Sequence, residues 1–484
     1  MKIAFISPEV YPFAKTGGLA DVSFALPKAL AKAGHDIRII MPAYKSINKN
    51  QYQLKLTAAP LIITINKEDK YAAILESDII PNVKTYFIDY ENYFARDSLY
   101  GDSTADYNDN AERFSFFAKA AIEGLIKIGF KPEIIHCNDW QTGLIPLYLK
   151  TIFINNPWFK NTAVIMSVHN AGYQGIFKQA DTVLNELNNT CFNIEDLKHH
   201  NGISFLKSGI LNSDIITTVS KKYAEEIQTK EFGFGLEDIF KSKKECLYGI
   251  PNAVDYEIWN PETDRFLPRN YSIKNISLKK ITKLEIQKRV AILPDENIPL
   301  LGTISRLTFQ KGMDILADTL EILFQDEKFQ FIISGTGDRR ISERFDRLKK
   351  MFPRSIGVFW GYEEELEHLL QAGLDISIIP SRYEPCGLTQ MYSMKYGTVP
   401  VVRATGGLDE LVEEWDDRSK KGNGFKFKNL TQEELYNTLR KSIKQYNDKY
   451  SWDILQRNGM NYNYTWDDAV KEYEKIYKSA IKSS

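Results

Sequence analysis

The sequence lacks the cysteine pairs and the charge excess that mark several classes of protein. Its four cysteines, Cys137, Cys191, Cys246 and Cys386, lie far apart and form no CxxC pair. They therefore predict neither a zinc site nor a disulfide framework. Lys plus Arg (62) nearly equals Asp plus Glu (63), which leaves a formal net charge of -1. This balance gives no support for a nucleic-acid partner or an anionic membrane surface.

Long apolar runs are also missing. No apolar run approaches the length that a membrane-spanning helix needs. The N-terminus, MKIAFISPEVYP, has too short an apolar run for a signal peptide and instead predicts a first β-strand. We therefore expect a cytoplasmic protein without a membrane partner.

The chain of 484 residues is longer than one hydrophobic core usually supports, so two large domains are expected. The first half opens as a βαβ unit: Lys2–Ser7 predicts a buried strand, Gly17 and Gly18 open a helix, and Ile37–Met41 predicts the next strand. Doubly wound sheets bind phosphates at this first turn. This turn lacks the pattern GxGxxG. The absence of that pattern argues against a redox dehydrogenase, which is a weak third alternative.

Polar side chains follow several predicted strands of the first half. The strand-like runs are Leu61–Ile65, Thr85–Ile88, Ile134–Cys137, Ala163–Val168 and Ile215–Val219. Asn138 and Asp139 follow one of them, and His169 and Asn170 follow another. Each alone is more often a cap or turn residue than a catalyst. Together they lie where open α/β sheets bind ligands, at the carboxyl ends of the strands.

A second α/β series begins after Gly249–Asn252. Its predicted strands are Pro299–Ser305, Phe329–Ser334, Ile356–Trp360, Ile376–Pro380 and Val399–Val402. We place an N-terminal Rossmann-like domain at 1–249, a C-terminal Rossmann-like domain at 250–455, and at 456–484 a helix that crosses back to the first domain. Two serial α/β domains predict a deep cleft between them, lined by strand ends.

The segment from Ser381 to Gly407 carries the most chemistry. Glu384 precedes Pro-Cys-Gly, and a helix is predicted from Leu388 to Lys395. A strand that ends in a glycine turn and opens a helix presents backbone N–H groups to an anion. A carboxylate beside such a turn suits a ligand that has both a phosphate and hydroxyl groups.

Four phrases occur in order: KTGGLADV at 15–22, HCNDW at 136–140, RLTFQKG at 306–312 and EPCGLTQ at 384–390. With them, over nearly its whole length, the chain resembles the bacterial glycogen synthases and plant starch synthases. That resemblance implies a GT-B fold, two Rossmann-like domains with the C-terminal helix packing back. It also implies a retaining, metal-independent glucosyltransferase without a cofactor, which moves glucose from ADP-glucose to the non-reducing end of an α-1,4-glucan.

The resemblance also implies roles for residues of the second half. Arg306 and Lys311 neutralise the donor diphosphate, since a guanidinium fork and an ammonium complement each other there. Glu384 contacts the glucose hydroxyls. The remaining donor-side positions are Asn252, Cys386 and Gly387, the backbone N–H groups of Leu388 and Thr389, and Tyr362, which packs on adenine or, as an alternative, is a core tyrosine.

In the first half, the resemblance assigns His169 and Asp139 to the sugar and acceptor side. Gly18 and Leu19 offer backbone N–H groups to the phosphate, and Lys15 and Asp21 complete that loop. Two departures from the family pattern occur at Gln141, where the family has His, and at Ala171-Gly172, where it has Leu-Ala.

Other functions stay open from the sequence. UDP-glucose is the alternative donor, and sucrose-type synthesis or phosphorolysis is the alternative reaction on the same fold. An inactive nucleotide-sugar or glucan-binding protein is the alternative from another class. An inactive binding protein is expected to lack at least one of the residues Lys15, Arg306, Lys311 and Glu384. All four are present in this sequence.

Overall fold

The computed structural model describes residues 1–102, 105–178, 180, 187, 197–361 and 363–483. They form two compact units. The first unit comprises Met1–Val219, Ala224–Pro251 and Trp466–Ser484, and the second comprises Ser220–Tyr223 and Asn252–Thr465. The segment that returns to the first unit begins later than the predicted 456, because the helix Lys449–Asn461 packs on helices and a strand of the second unit.

The first unit is built on one large sheet and one small one. Its strands are β1 (Lys2–Ile6), β2 (Asp36–Pro42), β3 (Lys55–Ile65), β4 (Glu68–Ile80), β5 (Val83–Asp89), β6 (Ile134–Asn138), β7 (Ala163–Val168), β8 (Ile176–Phe177), β9 (Lys198–His199), β10 (Gly202–Ser204), β11 (Ile215–Thr218) and β12 (Leu247–Gly249). The large sheet has the order β12-β11-β7-β6-β1-β2-β5-β4-β3. All neighbours from β12 to β5 are parallel, and β4 and β3 extend the sheet antiparallel.

Helices connect these strands. They are Gly18–Lys32, Glu91–Phe94, Asn110–Lys127, Ile145–Lys150, Phe205–Asn212 and Glu237–Ser242, with 3-10 turns at Trp140–Thr142 and Lys244–Cys246. The helix Lys221–Glu226 also lies between β11 and β12 in the chain, but its residues up to Tyr223 belong to the second unit. The parallel strands are continuous apolar runs because both of their faces are covered. In β1, Ile3 to Ile6 are fully buried.

The helix Trp466–Ser483 completes the first unit. It packs against the helix Gly18–Lys32 and against β7. The hydroxyl of Tyr477 lies 2.6 Å from Nδ1 of His136 in β6, and Glu474 lies 2.9 Å from Nε2 of His35. Its aromatic residues are therefore part of the core, as their helical spacing indicates.

The second unit has an all-parallel sheet. Its strands are β13 (Leu300–Ile304), β14 (Gln330–Gly335), β15 (Ile356–Trp360), β16 (Ile376–Ile379), β17 (Val399–Arg403) and β18 (Phe425–Phe427), in the order β15-β14-β13-β16-β17-β18. Its helices are Lys279–Arg289, Met313–Asp326, Arg339–Met351, Glu364–Gly373, Leu388–Lys395, Gly406–Leu411, Gln432–Asn447 and Lys449–Asn461, after a 3-10 segment at Ile273–Leu278. The predicted α/β architecture of two units is confirmed, with a sheet of mainly parallel strands in the first unit and an all-parallel sheet in the second.

The core of the second unit lies between its sheet and the helices. Leu301, Ile333 and Ile378 of the sheet are fully buried, together with Leu316 and Leu439 of the helices. Among the residues that the structure describes, none of the helices is both long enough and apolar enough to cross a membrane.

Candidate functional site

In the first unit, the loop after β1 leads into a helix whose N-terminus has no side-chain cap. Gly17 precedes the helix in an extended conformation and has no side chain that can accept from the first N–H groups. The backbone of Gly18 and Leu19 therefore begins a helix whose positive end is available to an anion. Lys15 lies beside this turn, 2.9 Å from Asp21 of the first helical turn.

Glu9 holds this loop in place and was missed from the sequence. It is 4% exposed and accepts hydrogen bonds from Thr16 N at 2.5 Å, Thr16 Oγ1 at 2.7 Å and the Tyr100 hydroxyl at 2.7 Å. Burial raises the pKa of Glu9, although these donors oppose the effect. In the sequence, the signal that could have identified Glu9 was a carboxylate three residues after a buried strand.

Asp139 and His169 come together at the ends of β6 and β7. The carboxylate of Asp139 accepts from His169 N at 2.7 Å. Burial raises the pKa of Asp139 to about 7, because desolvation outweighs the backbone N–H groups of His169 and Asn170. Glu9 raises this pKa further, so the two clusters of the first unit are electrostatically linked.

The ring of His169 is neutral at pH 7. Burial lowers its pKa to about 4. Nε2 lies 3.0 Å from Asn138 Oδ1, and the amide nitrogen of Asn138 donates to Ile6 O at 3.0 Å. Because the amide oxygen can only accept, Nε2 carries the proton and Nδ1 is the basic nitrogen.

At the two departures from the family pattern, Gln141 and Ala171 are buried and Gly172 is partly exposed. Gln141 is 5% exposed, and its Oε1 has no hydrogen-bond partner within the described part of the chain. Ala171 is fully buried, and its carbonyl accepts from the side chain of Gln174 at 3.1 Å. Gln141 cannot titrate, so this position supplies no acid–base group.

In the second unit, Lys311 and Glu384 form an ion pair. Lys311 Nζ lies 2.5 Å from Glu384 Oε2, and Ser381 Oγ donates to the same oxygen at 2.8 Å. The two charged side chains are 19% and 10% exposed. Gly312 follows in the left-handed region, at φ 68°, where a Cβ would lie 2.0 Å from Pro380 O. The backbones of the two loops therefore touch beside Lys311.

Glu384 begins a turn that opens the helix Leu388–Lys395. Gly387 has φ 79° and, lacking a side chain, leaves the helix start at Leu388 and Thr389 without a side-chain cap. Gly407 N donates to Glu384 O at 3.0 Å. A Cβ at Gly407 would lie 2.0 Å from Cys386 O. Close backbone packing therefore holds the carboxylate beside the helix N-terminus.

Cys386 is a protonated thiol at neutral pH. Burial raises its pKa to about 12, although hydrogen bonds with Asn252 oppose this effect. Asn252 is itself 5% exposed, and its Oδ1 has no hydrogen-bond partner among the described residues. Arg306 is exposed at the start of its loop. Tyr362 lies outside the described residues.

The structure thus gathers the predicted residues into clusters within each unit. The first unit brings Lys15 and Asp21 to an uncapped helix start and joins Asp139 to His169. The second brings Lys311 and Glu384 together beside another uncapped helix start. Cations and helix N-termini suit phosphate, and a fixed carboxylate suits hydroxyl groups. Among the residues described, no group of three or more His, Cys, Asp or Glu side chains is arranged to hold a metal ion.

Comparison with known families covers most of the chain. Residues 2–242 match the family described as starch synthase catalytic domain, and residues 285–456 match the family described as glycosyl transferases group 1. A glycogen synthase from Koribacter versatilis is 40% identical over 480 residues, which cover 99% of this chain and 98% of that protein. A glycogen synthase from Thermotoga petrophila is 40% identical over 488 residues, with 99% of each chain covered.

Two solved structures are similar as well. The catalytic domain of starch synthase IV from Arabidopsis thaliana, bound to ADP and acarbose, is 30% identical with a TM-score of 0.91, and 99% of each chain is covered. A sucrose-phosphate synthase from Thermosynechococcus elongatus is 16% identical with a TM-score of 0.61 over 100% of both chains. The second likeness shows the fold alone.

Proposed function

The chain belongs to the family of the bacterial glycogen synthases and plant starch synthases, and on that premise we propose that its donor is ADP-glucose and its acceptor the non-reducing end of an α-1,4-glucan. It is a glucosyltransferase of the predicted GT-B fold class. The observation that carries the proposal is the ion pair of Lys311 and Glu384 at an uncapped helix start.

The donor diphosphate gains negative charge as its bond to glucose breaks. We place Arg306, Lys311 and the N–H groups of Leu388 and Thr389 at that diphosphate. Fixed positive groups are most effective where charge develops in the transition state. Within the first unit, Lys15 and the N–H groups of Gly18 and Leu19 are groups of the same kind, which also suit a phosphate.

Glu384 holds the sugar in this proposal. Lys311 and Ser381 both contact its Oε2, which directs Oε1 to a glucose hydroxyl. The bond between the glucose C1 and the diphosphate oxygen breaks, and the acceptor 4-hydroxyl oxygen bonds to C1 on the same face. The hydroxyl proton passes to the departing phosphate oxygen. His169 is neutral and Gln141 does not titrate, so neither is assigned as a proton donor.

Labelled glucose incorporation tests the donor and the acceptor. Purified protein is incubated with a glucan primer and either ADP-glucose or UDP-glucose at matched concentrations. We expect faster transfer from ADP-glucose, with label at non-reducing ends that an exo-acting α-1,4-glucosidase releases. Faster transfer from UDP-glucose would contradict the nucleotide assignment. No transfer from either donor would favour the binding-protein alternative.

We also propose that transfer needs no metal ion, since Arg306 and Lys311 supply the positive charge that a divalent ion supplies elsewhere. Incubation with excess EDTA followed by desalting is expected to leave at least about half of the activity, a change in rate of no more than about twofold. Loss of activity that Mg²⁺ or Mn²⁺ restores would contradict this. A cytoplasmic location stays a prediction.

A further inference from the structure

Arg382 joins the two loops that carry the donor-site charges. It lies two residues before Glu384. Its Nη1 and Nη2 donate to the two carboxylate oxygens of Asp314 at 2.7 Å and 2.8 Å. Asp314 is in the first turn of the helix Met313–Asp326, three residues after Lys311. The guanidinium fork therefore connects the Glu384 loop to the helix that begins directly after Lys311.

The same side chain also contacts the loop on the other side of Lys311. Nη1 donates to Phe309 O at 2.5 Å, and the guanidinium lies 3.3 Å from the centre of the Phe309 ring. The backbone N–H of Arg382 donates to Gln310 O at 2.8 Å. Phe309 is 67% exposed, so its ring packs on the Arg382 guanidinium at the surface of the protein.

Lys311 is thus fixed from both directions along the chain. Phe309 and Gln310, before it, contact Arg382, and Gly312, after it, touches Pro380 O. The carbonyl of Arg382 in turn accepts from Arg403 Nη1, at the end of β17. An isolated surface ion pair contributes little. This pair is bidentate and belongs to a set of contacts that defines the spacing of two loops.

We propose that Arg382 is a positioning residue for glucose transfer. It holds the 306–312 loop against the Glu384 loop, so that Lys311 and Arg306 meet the diphosphate when its negative charge develops. This inference rests on the proposed function. It places no atom of Arg382 on the substrate, because its fork is occupied by Asp314 and Phe309. Small displacements of a charge in a preorganised site reduce the rate far more than the ground-state affinity.

Steady-state kinetics separate positioning from a structural role. For Arg382→Ala we expect kcat to fall by about 10- to 100-fold while KM for ADP-glucose changes less than about threefold. Arg382→Lys keeps the charge but not the fork and should recover only part of the loss. Asp314→Asn should resemble Arg382→Ala. Arg344→Ala is the matched control. Arg344 pairs with Asp318, which lies on the same helix as Asp314 but further along it from the two loops.

Coupling with Lys311 is the decisive measurement. If Arg382 acts through Lys311, the loss caused by Lys311→Ala is at least about fivefold smaller in the Arg382→Ala background than in the wild type. Losses that multiply would overturn the inference, as would a raised KM with unchanged kcat. Unchanged kcat in Arg382→Lys and Asp314→Asn would overturn it even if Arg382→Ala failed to fold.

The wild type is assayed first, with both sugar nucleotides. A wild type that transfers no glucose refutes the proposed function and removes the basis of this inference. An active wild type with fully active Arg382 variants refutes only the inference.

Discussion

Lys311 and Glu384 are each other's partners in the structure, although they are assigned to different parts of the donor. Each side chain is mostly buried, and each charge reduces the cost of burying the other. In the proposed donor complex, Lys311 meets the diphosphate and Glu384 meets glucose. The ion pair therefore keeps both charged groups at the site before the substrate arrives.

Removal of the Lys311 charge should mainly affect the chemical step. We expect Lys311→Ala to lower kcat by about 100- to 1000-fold, the loss typical for one preorganised group that stabilises developing charge. Glucose transfer and thermal unfolding would be measured together, to show that the variant is folded. Lys441→Ala is the control, since Lys441 is a surface partner of Glu414. Near-normal turnover of Lys311→Ala would contradict its diphosphate role.

Asp139 should make the stability of the protein depend on pH. Its pKa is about 7 in the folded chain and about 3.9 when unfolded. Between these values the folded state holds the extra proton, so the free energy of unfolding falls as pH rises and levels off above about 7. Asp139→Asn keeps an oxygen for His169 N and does not titrate.

Denaturant unfolding of the wild type and of Asp139→Asn tests this between about pH 5 and about pH 8. The free energy of unfolding of the variant, relative to that of the wild type, should rise by on the order of 1 kcal/mol per pH unit up to about pH 7. Asp69→Asn, at an exposed position in the same unit, controls for the new amide. A difference that does not change with pH would contradict the raised pKa.

The sequence predicted the charged groups that are assigned to the substrate better than the residues that support them. Lys311 and Glu384 stand in motifs whose residue types suit phosphate and sugar. Glu9 and Arg382 contact residues that are distant in sequence, Tyr100 for Glu9 and Asp314 for Arg382. A single sequence contains no signal for such pairings. The roles of the site residues stay predictions.

At the scale of elements, two helix starts share one design. The helices Gly18–Lys32 and Leu388–Lys395 each follow a glycine and have no side-chain cap. A side-chain cap would satisfy the N–H groups that a phosphate needs. Glycine also lets the backbone of a neighbouring turn approach closely, as Gly407 does at Cys386.

A methyl group at Gly407 should disturb the turn that carries Glu384. The Cβ would lie 2.0 Å from Cys386 O, a backbone atom, so the turn must move. We expect Gly407→Ala to lower kcat/KM at least about tenfold. Gly459→Ala is the control in the same unit, because its Cβ would meet Met394 at 3.5 Å, an ordinary contact. Equal activity of the two variants would contradict the need for close packing.

Most parallel strands were predictable, and the β3–β4 hairpin was not. Leu61–Ile65 was predicted, but the strand begins at Lys55 and pairs with the long β4. Its turn uses Asn66 and Lys67, both with positive φ, where the usual sequence signal is Asn-Gly. Much of β3 before Leu61 is exposed, so this part lacks the buried apolar pattern that marks a strand.

At the scale of the whole molecule, the chain returns to its first unit after it has built the second. The sequence predicted that a terminal helix crosses back to the first domain, and Tyr473 and Tyr477 of this helix are 3% and 0% exposed. The sequence did not indicate clearly where the returning segment begins, because Lys449–Asn461 is also helical and both helices contain aromatic residues. Packing partners decide the assignment, and they lie far away in sequence.

Tyr477 should contribute to the stability of the first unit. Its hydroxyl partners the buried His136, whose other nitrogen lies 2.6 Å from Ser167 Oγ. Tyr477→Phe leaves Nδ1 of His136 without this partner, and we expect the free energy of unfolding to fall by about 1–3 kcal/mol. Tyr71→Phe, at a position 63% exposed, should change it by less than about 0.5 kcal/mol. Equal effects in denaturant unfolding would contradict the structural role of this hydrogen bond.

The position of the helix Trp466–Ser483 has a consequence for protein synthesis. The ribosome makes β1 first, yet the helix that covers β7 and the helix Gly18–Lys32 follows the whole second unit in the chain. Until that helix leaves the exit tunnel, an apolar surface of the nascent first unit stays uncovered. The unit that is translated first is therefore completed last. The second unit can fold at a stage when the first unit still lacks its final helix.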